Sequence, residues 1–171
     1  QSTGSSDDAI AKGDTIGISM PTKSEERWNK DGNNLKAKLE KAGYKVILSF
    51  ADDKPAQQNA DIENMVTSGC NVILAMVSDN SCDDALKEAQ DAGVIVMECG
   101  VETSVYDICI NSDQYDIGTM ISDMAGEGIN KQLGGKANIV VYTTYQNQDM
   151  QNRGQGIQDR IKELCPDSTI L

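Results

Sequence analysis

The chain has 171 residues, 39% hydrophobic and 25% charged, with a formal net charge of −12 and no basic run. That length bounds it to one domain or one and a fraction, and the mixture can bury a core; the acidity argues against nucleic acid and anionic lipid as partners. There is no histidine, which removes the commonest general base, the Ser-His-Asp and Cys-His constellations, and most zinc and iron sites, and so tilts the balance from catalysis toward binding.

Residues 1–13, QSTGSSDDAIAKG, are rich in Ser, Gly and Asp with a single Ile. They bury nothing and read as a flexible leader: either the mature start of an exported, lipid-tethered protein or an ordinary disordered terminus. The chain then opens on TIGISM, a strand that Pro21 and Thr22 close. Ser24, Glu25 and Glu26 mark a helix start. Trp28, Gly32, Leu35, Leu39 and Ala42 follow on one helical face, and Gly43 stops it.

The same unit then repeats. KVILSF (45–50) is a strand, Ala51 to Lys54 its loop, and Pro55 begins a helix with Ala56, Ala60, Ile62, Met65 and Val66 inward. NVILAMV (71–77) is apolar on both faces, as the middle of a covered sheet requires. After the loop 78–80, Cys82, Ala85, Leu86, Ala89 and Ala92 form a helical stripe. VIVME (94–98) and DICIN (107–111) are the fourth and fifth strands. Gly43, Gly69 and Gly93 each separate a helix from the strand after it, at spacings of 26 and 24 residues. Helices and strands alternating at this period predict right-handed βαβ crossovers and an α/β, Rossmann-like parallel sheet with helices on both faces.

Residues 113–133 read as a long helix with Ile117, Met120, Ile121, Met124, Ala125, Ile129 and Leu133 inward, ended by Gly134 and Gly135. ANIVVY (137–142) is a strand, 143–149 its loop, 150–164 a helix, and 168–171 the beginning of another strand. The organisation predicted is a leader over 1–13, a first lobe over 14–112, and an incomplete second lobe over 113–171.

Several motifs fail their structural context. Gly134-Gly135-Lys136 precedes a strand instead of opening a helix and is a turn, and Gly154-Gln155-Gly156 lies inside a helix and lacks a third glycine. The carboxylate pairs Asp52/Asp53 and Asp83/Asp84 suit solvated helix starts, and no calcium-loop spacing fits, so neither metal nor cofactor is expected. Cysteines stand at 70, 82, 99, 109 and 165 with no C-x-x-C spacing and read as small buried hydrophobes. No window approaches 18 consecutive apolar residues. Trp28 admits two readings, a core residue or a platform for the C–H face of a sugar ring, and both stay open.

MPTKSEERWNKDGNN (20–34), ADD (51–53) and QNADIENMVTSG (58–69) resemble the first lobe of the type I periplasmic monosaccharide-binding proteins, above all the xylose-binding and multiple-sugar-binding receptors of ABC importers. The resemblance implies two Rossmann-like lobes joined by a hinge, an aldose held between them, and no enzyme activity. It also implies an extracytoplasmic location, in the periplasm or at the cell surface, with an ABC permease as partner and the membrane reached only through a lipid tether. Carried over, Lys23 and Arg27 donate to sugar hydroxyls, Trp28 stacks, and Ser78 and Asp79 line the wall of the first lobe. Asn111 and Asp113 belong to the crossover, and Tyr145, Asn147, Asn152 and Arg153 to the sugar-facing loop and helix of the second lobe.

One departure concerns specificity. After the fourth strand the family carries Tyr-Asp-Arg, whereas this chain has Cys99-Gly100-Val101; Glu98 or Glu102 is the nearest substitute for the acid, and nothing replaces the arginine. The alternatives are a sugar-sensing domain that signals to a membrane kinase or chemoreceptor, and the effector domain of a sugar-responsive repressor, which would need a helix-turn-helix ahead of Thr15. An enzyme of flavodoxin-like architecture ranks last. A chain of this length standing alone is expected to expose apolar surface and to dimerise.

Overall fold

A computed structural model describes residues 10–77, 80–143 and 148–171. They fall into two compact units, 1–111 and 112–171.

The first unit is a five-stranded parallel sheet in the order β2-β1-β3-β4-β5, formed by β1 (Thr15–Met20), β2 (Lys45–Phe50), β3 (Val72–Ala75), β4 (Ile95–Cys99) and β5 (Ile108–Ile110). Three helices connect the strands: α1 (Glu26–Ala42), α2 (Pro55–Thr67) and α3 (Asp83–Asp91), the last entered through a 3₁₀ turn at Asn80–Cys82. Alternation along the strands supplies two cores. Ile18, Met20 and Met76 point to one face, where Trp28, Leu35 and Leu39 of α1 cover them with Leu48, Phe50 and Leu74. Ile73, Ala75, Val77 and Val96 point to the other, under Ile62 and Met65 of α2 and Leu86 and Ala89 of α3. Each large aliphatic side chain buried this way contributes about 1.5–3 kcal/mol of transfer free energy.

The glycine punctuation is realised. Gly43, Gly69 and Gly93 have φ of +101°, +77° and +85°, the left-handed region that lets each helix turn back into its strand. Two details differ from expectation at the helix starts. Glu25 is the N-cap of α1 without a side-chain cap bond, because the Ser24 hydroxyl is paired with Thr22 Oγ1 at 2.9 Å. In α2, Ala56 faces solvent, and the buried first-turn residue is Gln58. Ala92 is likewise exposed, one residue beyond the end of α3. Cys70, Cys82 and Cys165 are buried and Cys99 and Cys109 half-buried, and none of the five forms a disulfide.

The second unit contains α4 (Gln114–Leu133) and α5 (Gln148–Leu164), with β6 (Asn138–Ile139) and β7 (Thr169–Ile170) paired in parallel. Here the inward face of α4 is not the one expected. Met120 is 66% and Met124 79% exposed, and Ile121 and Leu133 are exposed too, whereas Gln114, Gly118, Ser122 and Gly126 are buried. Backbone proximity accounts for the buried small residues. A Cβ on Gly118 would lie 2.3 Å from the Arg153 carbonyl oxygen, and one on Gly156 2.3 Å from that of Tyr115. Small residues let the two helix backbones meet, and Ser122 Oγ donates to the Ile157 carbonyl at 2.9 Å across the crossing. Among the described residues it is the small face that meets α5. Of the strand expected over 137–142, Asn138–Ile139 is formed, paired with β7, and Val140 and Tyr142 are exposed.

Candidate functional site

The sheet order of the first unit reverses direction between β1 and β3, since the chain leaves β1 toward β2 on one side and returns to β3 on the other. In open α/β sheets, the carboxyl ends of the strands at such a reversal form the crevice that receives ligands. The loop after β1 runs into it and is held rigidly. Pro21 and Thr22 are buried, Asp53 N donates to the Pro21 carbonyl at 2.8 Å, Ser24 N donates to Thr22 Oγ1 at 3.1 Å, and the Asn29 amide donates to the Lys23 carbonyl.

This scaffold presents two aromatic rings, each covered by a cation. The Arg27 guanidinium lies 4.3 Å from the centre of the Trp28 ring, and Lys23 Nζ 5.1 Å from that of Phe50, the last residue of β2. Trp28 is half-buried and rests on the Ile18/Met20/Met76 core, and the guanidinium covers its ring. Arg27 is 66% exposed and pairs with Asp31 at 3.7 Å. Its stacking on Trp28 is thus an exposed cation–π contact worth about 0.5–1 kcal/mol, weak enough for a ligand to displace.

The loop after β4 approaches the same place. Gly100 has φ +91°, and Arg27 Nη2 would lie 3.9 Å from a Cβ there. The chain that lacks a side chain at position 100 thus has the Arg27 guanidinium beside it. Of the two acid substitutes, Glu98 is 0% exposed, with its carboxylate accepting from Thr103 N at 2.9 Å and Thr103 Oγ1 at 2.7 Å, whereas Glu102 is exposed and accepts from the Tyr106 hydroxyl at 2.7 Å. Burial pushes the Glu98 carboxyl above its ordinary range despite the two Thr103 bonds, and the charges of Asp83 and Glu102 push the same way. Asp83, expected as a solvated helix start, is half-buried, and its Oδ1 is enclosed with no partner among the described residues.

A buried amide ties this edge of the sheet together. Gln58 Nε2 donates to Ser19 Oγ at 3.1 Å and to the Met76 carbonyl at 3.0 Å, bridging the ends of β1 and β3 where the order reverses. Sequence reasoning missed it, because a glutamine in a polar helix start carries no periodic signal. Asn111 stands at the carboxyl end of β5, three strands from β1. Ser78, Asp79, Tyr145 and Asn147 lie outside the described residues.

In the second unit, Asp113 is the N-cap of α4, its carboxylate accepting from Asp116 N at 3.0 Å. Asn152 is exposed and accepts from Gln148 Nε2 at 2.9 Å. Arg153 is half-buried and held by Gln114, with Nε donating to Gln114 Oε1 at 3.0 Å and Nη2 donating to the same oxygen. Among the described residues no group of three or more His, Cys, Asp or Glu is arranged to hold a metal ion, and no helix is long and apolar enough to cross a membrane.

Comparison with known proteins places this architecture. Residues 16–171 match the family described as the periplasmic binding protein domain. The chain belongs to that family. Within it, the multiple sugar-binding periplasmic receptor ChvE of Rhizobium radiobacter is 43% identical over 84 residues, which is 48% of this chain and 24% of ChvE. The D-xylose-binding periplasmic protein of Escherichia coli (strain K12) is 30% identical over 109 residues, 63% of this chain and 31% of that protein. Among solved structures, an ABC transporter solute binding protein from Mycobacterium smegmatis with bound glycerol superposes with a TM-score of 0.81 at 20% identity, covering 93% of this chain and 55% of that one. The resemblance to xylose-binding and multiple-sugar-binding receptors is thereby borne out, as is the α/β fold class. The chain spans about half the length of the solved periplasmic binding proteins it matches, and less of the curated ones.

Proposed function

We propose that the protein captures a free monosaccharide, an aldose, outside the cytoplasm and passes it unchanged to an ABC permease. The observation that carries the reading is the Trp28 ring at the carboxyl end of β1, seated on core and flanked by Lys23 and Arg27. An indole face suits the C–H face of a pyranose, while lysine and arginine donate to its hydroxyls. Binding would lift the Arg27 guanidinium from the ring and return it as a hydrogen-bond donor, so the displaced cation–π contact costs little. Residues 14–112 are read as one lobe and 113–171 as part of a second, with Arg153 its sugar-facing cation and the leader a lipid-anchored tether.

The test is an intrinsic-fluorescence titration of the protein at its full natural length with aldopentoses and aldohexoses, including D-xylose and D-glucose, alongside Trp28→Phe. A saturable change with one or two sugars, lost in the variant, supports capture through Trp28. A flat response with silent calorimetry overturns it. Co-purification with a permease supports transport; recovery with a membrane kinase or chemoreceptor instead would replace transport by sensing.

A further inference from the structure

We infer that Gln114 is the positioning residue for Arg153, holding its guanidinium in one orientation while leaving its charge unneutralised for the ligand. The inference rests on the reading of Arg153 as a sugar-facing residue.

The geometry is specific. One oxygen, Gln114 Oε1, accepts from both Nε and Nη2 of Arg153, which fixes the guanidinium plane as well as its position. The other end of the amide is used too: Gln114 Nε2 donates to the Ser112 carbonyl at 3.0 Å. Rotating the amide by half a turn would set NH₂ against the guanidinium, donor against donor, and oxygen against the Ser112 carbonyl. The amide therefore has one workable orientation. Gln114 is 7% exposed, and its place is set by the close crossing at Gly118 and Gly156, which brings the first turn of α4 against Arg153 on α5.

The acceptor is an amide, and this has a consequence. A carboxylate at this position would orient Arg153 equally well but would form an ion pair with it. Glutamine supplies the bidentate acceptance with no net charge, so Arg153 keeps a full positive charge, and its Nη1 has no partner among the described residues. A guanidinium fixed by one edge, with no partner on the other among the described residues, is preorganised to donate to a ligand oxygen without reordering on binding.

The experiment is a double-mutant cycle of Gln114→Met, near-isosteric but without the acceptor, with Arg153→Gln, in the protein at its full natural length. Affinity for D-xylose and D-glucose is read by calorimetry, and the Arg153 Nε–H signal by ¹⁵N NMR. Gln114→Met is expected to weaken binding about tenfold in the parent and to have no further effect once Arg153 is gone, as coupled residues behave. The Nε–H of Arg153, protected from exchange in the parent, is expected to exchange rapidly in Gln114→Met. Equal losses of affinity in both backgrounds, or an Nε–H equally protected in Gln114→Met, would overturn the inference. If Arg153→Gln leaves affinity unchanged while Trp28→Phe abolishes it, the assignment of Arg153 itself fails, and the positioning role falls with it.

Discussion

Replacing Gly118 by alanine tests the helix crossing on which the second unit depends. An added Cβ would stand 2.3 Å from the Arg153 oxygen, 2.9 Å from Ile157 N and 3.1 Å from the Gly156 carbonyl carbon. The closest of these is about 1 Å inside the 3.4 Å at which ordinary contact begins, and all three are backbone atoms of α5, so no side chain can move aside. The helices must separate, loosening the packing along the crossing. Overpacking against such an obstacle costs about 3 kcal/mol, the upper end of its usual range, while alanine for glycine inside a helix returns about 1 kcal/mol. The net expectation is a destabilisation of about 2 kcal/mol. With a slope of about 2 kcal/mol per molar, the urea midpoint followed by far-ultraviolet circular dichroism falls by about 1 M. Gly128 is the control: it lies on the same helix, and nothing stands within 4 Å of its Cβ position. Gly128→Ala should therefore raise the midpoint slightly. Should Gly118→Ala stabilise the protein as Gly128→Ala does, the tight backbone crossing is wrong.

Other predictions concern the first unit. The folded protein holds the Glu98 proton to higher pH than the unfolded chain does, so the stability due to this group is full below the ordinary glutamate range and is lost as pH rises through the raised value. Glu98→Gln should flatten that part of the pH–stability curve in urea titrations from pH 4 to pH 8; an unchanged slope would assign it to other groups. Thr103→Val removes the hydroxyl donated to the buried carboxylate and is expected to cost about 1.5–3 kcal/mol by the same titration; a loss below about 0.5 kcal/mol would contradict the bond. Gln58→Leu strands the Met76 carbonyl and the Ser19 hydroxyl, an expected loss of about 2–3 kcal/mol seen in Trp28 fluorescence on unfolding; a neutral outcome would refute its role as a tie between β1 and β3.

The parts of the fold legible in the sequence are those that each residue's own chemistry decides. Gly43, Gly69 and Gly93 had to be turns, because each follows a helical stripe and only glycine enters the left-handed region without cost. Alternation in TIGISM and the continuous apolar run of NVILAMV identified strands with two covered faces, and hence a parallel sheet between helices. The place of Trp28 on the core side of α1 was visible because its spacing fitted the Leu35/Leu39 stripe.

What the tertiary structure decided is which of several competent surfaces found a partner. On α4, Ile117, Met120, Ile121 and Met124 make the more apolar stripe, but it is Gly118, Ser122 and Gly126 that allow backbone contact with α5. The buried polar groups followed the same logic. Gln58 and Gln114 look like surface residues in one dimension, because a hydrogen-bond partner 39 residues away, Ser19 for one and Arg153 for the other, leaves no mark on local pattern. Periodicity reports the shape of one element, whereas the pairing of polar atoms depends on where other elements stop, and that is set only when the chain has folded.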